Sequence, residues 1–147
     1  MANAGYSGRP LSAKLGLKPE MVCWRHCMPA DIADLLDDQE PDLCLLKEPY
    51  TKLDCAHVFV TDRDALADLL ETLRNLLAPD GMIWVSWPKK SSKVPTTVTE
   101  DTIRDICLPK GLVDVKVCAV DATWSGLKLV IRKELRSEQA ERLAKHS

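Results

Sequence analysis

Two stretches of this 147-residue sequence hold side chains that could do chemistry. The first, "GMIWVSWPKKSSK", runs from 81 to 93 and ends an apolar segment in Ser86, Trp87, Lys89 and Lys90. With Lys93 these lie in a span, 81–99, that has no acidic residue. Ammonium groups gathered this way suit a phosphate or carboxylate, and a helix starting after Thr99 would add its dipole, opposed by Glu100 and Asp101. Exposed lysines are more often only solubilising, and Trp87 could stack on a ring or simply pack.

The second stretch, "CWRHC", brings Cys23, Arg25, His26 and Cys27 together. A structural zinc site usually pairs two knuckles, and no second CxxC or HxxxH occurs, so no metal is expected. In a strand Cys23 and Cys27 would share one face and His26 the other. Cys23, Cys44, Cys55, Cys107 and Cys118 sit in apolar runs, as small hydrophobes do, and no disulfide framework is expected. His26, at a strand end beside Arg25, could carry a proton near a bound anion. His57, among Ala56, Val58 and Phe59, reads as a hydrogen-bonded core histidine. "TWSG" (123–126) lacks the first glycine of a nucleophile elbow, which leaves Ser125 as a turn residue. No Walker loop, HExxH, EF-hand or convincing pair of carboxylates is present.

The elements that must position these groups follow from periodicity. Residues 1–9 read as a loose arm, 10–135 as one domain, and 136–147 as a charged tail or short helix. "PLSAKLGLKP" predicts a short helix and "MVCWRHC" a first strand cut off by Pro29. "ADIADLLDD" has helical spacing, and "LCLLKE" is a second strand. "LDCAHVFV" is a nearly continuous apolar strand. Asp62 can cap the helix after it, whose stripe is Leu66, Leu69, Leu70, Leu73 and Leu77. "APDG" predicts a turn with Gly81 left-handed, leading into a fourth strand, "MIWVSW". Thr99 can cap a further helix. Two alternating strands follow: Val113, Val115 and Val117 oppose Asp114 and Lys116, and Leu127, Leu129 and Ile131 oppose Lys128 and Arg132. The sum is α/β: a three-layer Rossmann-like sandwich, its mostly parallel sheet of about six strands ending in an antiparallel hairpin.

Ligands of such sheets bind beyond the carboxyl ends of the strands. That edge should carry Arg25 to Met28, Lys47 and Glu48, Thr61 to Arg63 with Asp62 among them, and Ser86, Trp87, Lys89 and Lys90.

"AKLGLKPEMV" resembles the entry helix and turn of S-adenosylmethionine-dependent methyltransferases. "LDCAHVFV…LLETLRNLLAPDGMIWVSW" resembles their fourth strand, helix and fifth strand, and "VKVCAVDATWSGLKLVIRKE" their closing hairpin. More narrowly, "MANAGYSG", "WVSWPKK" and "VDVKVCAVDATWSGLKLVIRKEL" resemble a small bacterial family of unknown function, to about residue 136. The resemblance implies a methyltransferase-like core and matches Glu48 to the acidic residue that binds ribose hydroxyls. It also marks two departures. The glycine-rich turn after strand one is replaced by "CWRHCMPADI", with bulky Trp24, Arg25, His26, Met28 and Pro29, and a strand and helix are missing after strand two.

The expectation is a shortened domain with no resident cofactor, S-adenosylmethionine being the one the resemblance leaves open. It leans away from an enzyme, toward binding a small anionic ligand or protein partner at that edge. The alternatives are a divergent methyltransferase, or another enzyme using the same cleft, and a structural module dimerising through its edge hairpin or tail. A formal net charge of −2 disfavours nucleic acid as a partner. No apolar run approaches a membrane span, and the start lacks a signal core, so a cytoplasmic location is expected.

Overall fold

A computed structural model of the chain describes residues 9–145. The expected arm, Arg9 apart, lies outside the described residues, as do positions 146 and 147 of the expected tail.

The two most continuously apolar runs end up at the centre of the sheet, where both faces are covered. They form β3 (Leu53–Phe59) and β4 (Leu77–Pro88), paired in parallel. β1 (Val22–His26) lies parallel to β3 on its other side, and β2 (Cys44–Leu46) parallel to β1. Beyond β4 the antiparallel strands β6 (Trp124–Ile131) and β5 (Leu112–Ala119) complete the order β2-β1-β3-β4-β6-β5.

Alternation along each strand feeds two cores. On one face α1 (Leu11–Lys14) and α2 (Ala30–Gln39) bring Leu11, Ile32 and Leu36 against Cys55, Phe59, Met82 and Trp84. On the other, Leu66, Leu70 and Leu73 of α3 (Arg63–Leu76) and Ile103 of α4 (Glu100–Cys107) cover Ala56, Val58, Ile83 and Val85. Trp84 is fully buried, and its indole N–H donates to Leu15 O at 2.9 Å, so no polar group is stranded. Asp62 caps α3 by accepting from Ala65 N (2.9 Å) and Thr99 caps α4 by accepting from Thr102 N (3.1 Å). Each such cap is worth about 1 kcal/mol.

Several local expectations are corrected. Gly81 is not left-handed: β4 begins at Leu77 and runs through it, and only Gly16 and Gly111 have positive φ among the described glycines. The glycine serves close approach instead, since a Cβ there would lie 2.8 Å from Leu53 O and 2.9 Å from Leu77 Cγ. The valines of β5 do not share a buried face. An irregularity between Asp114 and Lys116 breaks the alternation and leaves Val115 and Val117 53% exposed. Ser125 belongs to β6, paired with Trp87, not to a turn. Cys44 is exposed on edge strand β2. The charged end, expected as a tail or short helix, is a helix, α5 (Arg136–Lys145), and it is docked, with Gln139 and Leu143 buried. The Gln139 amide donates to Arg74 O (3.2 Å) and Leu77 O (2.8 Å), two carbonyls at the end of α3 that no further helical turn could satisfy.

Candidate functional site at the carboxyl edge of the sheet

From β1 the chain moves outward to β2, and from β3 outward in the other direction to β4, so the topological switch lies between β1 and β3. Six residues, 47–52, join β2 to β3 without a helix. The turn after β1 is tight: Cys27 is left-handed (φ 55) and Pro29 immediately precedes α2. A left-handed β-less backbone is what glycine offers at no cost. Here a cysteine takes that conformation, exposed, with its Sγ 3.4 Å from His26 Nε2. The His26 ring in turn lies 5.6 Å from Trp24, tilted by 37°.

The loop after β4 folds back over the end of β3. Lys89 N donates to Thr123 O (2.8 Å), and Lys90–Ser92 form a single 3-10 turn that ends in left-handed Lys93 (φ 60). The returning strand of the loop is then tied down. Thr97 N and Thr96 Oγ1 both donate to Thr61 O at 2.9 Å, and Arg63 N donates to Thr97 Oγ1 at 2.8 Å. Sequence gave no sign of these threonines, because their partners lie some 35 residues away. Lys90 and Lys93 are exposed and Lys89 half-buried. None of the three makes an ion pair among the described residues. The nearby start of α4 is less inviting to anions, since Glu100 and Asp101 both pair with Arg104 there.

A second polar group lies inside, under α2. Arg25 projects inward from β1 with its side chain only 15% exposed, and Nη1 pairs with Asp37 of α2 at 3.0 Å. Its Nη2 is buried without a partner among the described residues. His57 and Ser86, both buried, join Nε2 to Oγ at 2.7 Å across the β3–β4 pair. Burial, aided by the Arg25 charge, holds the imidazole down to about 3, so it is neutral at ordinary pH. The ring stacks on Phe59 at 4.5 Å. His57 is thus the satisfied core histidine that its apolar neighbours predicted.

The eight candidates therefore divide. Lys89 and Lys90 share the loop that closes over the β3–α3 turn, with Asp62 in that turn spent on its cap. Trp87 is half-buried against the α3–α4 core, and His26 stands at the mouth of the β1 turn. Ser86 and Arg25 face the interior. Glu48 is exposed in the loop after β2, three strand positions from the lysines that follow β4, and no hydrogen bond or ion pair joins it to the others among the described residues.

An adenosyl cofactor needs a hollow of several hundred Å³. Beside the β1 turn the cavity lined by Cys23, Trp24, Arg25, Met28, Cys55 and His57 measures about 10 Å³, near the room one water needs. Met28 packs into the α1–α2 core where bare backbone would have to admit the ligand. The residues present do not fit that group. A wider hollow of about 350 Å³ lies at the opposite end of the sheet, among Glu71, Arg74, Lys110, Glu138 and Arg142.

This sheet and its flanking helices are those of the Rossmann-like methyltransferases. The precorrin-6y C5,15-methyltransferase of Geobacter metallireducens GS-15 superposes with a TM-score of 0.56 at 11% identity, covering 84% of this chain and 86% of that one. Magnesium protoporphyrin IX methyltransferase of Synechocystis PCC 6803, solved with bound SAM, gives 0.54 at 12% identity over 82% and 74%. The ribosomal protein L11 methylase of Lactobacillus delbrueckii subsp. bulgaricus gives 0.52 at 13% over 83% and 75%. At such identities the likeness is one of fold. The chain itself belongs to the family described as "Protein of unknown function (DUF3052)", which matches residues 13–133. No curated protein matches the sequence. No helix among the described residues is long and apolar enough to cross a membrane.

Proposed function

We propose that this chain is a methyltransferase-like domain that no longer holds the adenosyl cofactor and binds a small anionic ligand at the carboxyl edge of its sheet. One observation carries the reading. A loop with three lysines and no acid is folded over the end of β3, at the fold's ligand-binding edge, with Lys89 and Lys90 free of ion pairs among the described residues. Ammonium groups held there without counter-charges gain most from an incoming phosphate or carboxylate. Trp87 precedes the loop and Asp62 caps the helix beneath it, His26 stands at the neighbouring β1 turn, and Ser86 and Arg25 face the interior. Titration of the full chain with pyrophosphate, followed by amide shifts, tests this. Lys89→Glu with Lys90→Glu should weaken binding at least tenfold while the fold's dispersion is kept. Equal binding by the double variant removes the site.

A second reading, a divergent methyltransferase, rests on the fold likeness and on Glu48 at the end of β2. Calorimetry with S-adenosylmethionine separates the two. Binding that weakens in Glu48→Ala would replace the first reading with the second.

A further inference from the structure

We propose that Cys23 and Cys55 form a dithiol that hydrogen peroxide oxidises to a reversible disulfide, with Arg25 preparing Cys23 as the attacking sulfur. The inference does not rest on the anion site. In the parallel β1–β3 ladder Cys23 pairs directly with Cys55, and both side chains enter the α1–α2 core. Neighbouring strands lie about 4.8 Å apart, inside the roughly 4.4–6.8 Å Cα range of disulfides. A bridge between two directly paired strand residues is strained, and strained disulfides are the readily reduced ones.

Paired across the ladder, the two thiols act on each other unequally. The interaction with Cys55 lowers Cys23 against the opposing effect of burial, the Arg25 charge adding to it, while the interaction with Cys23 and burial raise Cys55. Cys23 is therefore the sulfur that more readily becomes thiolate. Cys23 Sγ also lies 3.7 Å from Met21 O, which holds its proton while it remains a thiol. Arg25 and both cysteines line the small cavity, and Arg25 Nη2 is the buried N–H left without a partner among the described residues. A guanidinium lining the same cavity opposes a metal cation and favours a thiolate. The cavity, about 10 Å³, is near the room of one water and far too small for glutathione disulfide. Hydrogen peroxide, among the smallest neutral oxidants of thiols, comes nearest to that size.

The steps balance. The Cys23 thiolate attacks one peroxide oxygen, an S–O bond forms, the O–O bond breaks, and the departing hydroxide takes a proton from solvent as water. Cys55 then attacks the Cys23 sulfenic sulfur and the S–O bond breaks. The second hydroxide leaves with the Cys55 proton, so two thiols and one peroxide become one disulfide and two waters.

Intact mass and non-reducing peptide maps of the full chain, reduced and then exposed to hydrogen peroxide, test this. The expected product has lost two hydrogens, yields a Cys23–Cys55 linked peptide, and reverts with dithiothreitol. In Cys55→Ser, peroxide should add one oxygen at Cys23, the sulfenic acid, read by intact mass and peptide map. Arg25→Gln should slow disulfide formation roughly tenfold, because it removes the cation that favours the thiolate. Oxidation confined to the exposed Cys27 and Cys44, with Cys23 and Cys55 still reduced, overturns the proposal on the unsubstituted chain alone. An undiminished rate in folded Arg25→Gln removes Arg25 from it.

Discussion

His57 makes a measurable commitment at the scale of one residue. Its folded value lies at about 3 against an ordinary 6.5, because burial disfavours the imidazolium. Between those two values the unfolded chain binds the proton and the folded chain does not, so stability must fall as pH falls below 6.5. From pH 6.5 to 4.5, before most carboxylates titrate, His57 alone should cost roughly 2–3 kcal/mol. Denaturant midpoints across that range check this. His57→Gln, which can still meet Ser86 but cannot titrate, should flatten the slope, and a slope unchanged in that variant would mean another group dominates. The sequence told that His57 was core, because apolar residues surround it on the strand. It could not name Ser86, 29 positions away, as its partner, nor Cys55 as the neighbour of Cys23, since register between parallel strands is set by packing and not by local pattern.

At the scale of elements, periodicity carried most of the fold. The leucine stripe of α3 and the apolar runs of β3 and β4 leave one arrangement that buries them, and the caps Asp62 and Thr99 were readable in place. Elements held by a few polar anchors were not readable. The end helix α5 has one buried leucine, Leu143, and a glutamine, Gln139, whose amide needs the particular carbonyls of Arg74 and Leu77. Hydrophobic pattern alone therefore left it a solvated helix or a frayed tail. A chain ending at Leu135 should lose about 2–4 kcal/mol, the sum of one buried leucine and two to three hydrogen bonds to carbonyls re-exposed to water. Chemical denaturation of the shortened and full chains gives the difference. If both unfold at the same midpoint, α5 is not bound as described. The same comparison bears on self-association, because a shortened chain that loses stability cannot by itself assign a dimer to the tail.

At the scale of the whole molecule the site was legible as an edge and not as a surface. The order of strands put the lysine loop, the β1 turn and the β3–α3 turn at one end. Only the folded chain shows that the loop crosses over Thr61 while Glu48 stays three strand positions from β4. The same sheet gives the molecule its cooperativity. β3 and β4 send alternate side chains into both cores, so neither helical layer can leave without exposing residues that the other strands share. Unfolding should therefore be a single transition, with tryptophan fluorescence, to which Trp84 between α1 and the sheet contributes, coinciding with far-UV dichroism, which reports all helices. Local opening should still be graded. Amides of β3 and β4 should exchange only with global unfolding, whereas the three-residue edge strand β2, with Cys44 and Leu45 exposed, should exchange at far lower free energy. Native-state hydrogen exchange in dilute denaturant resolves the two classes. Equal protection across β2 and β3 would require a partner covering the β2 edge, and two separated transitions would mean that the sheet does not couple the layers.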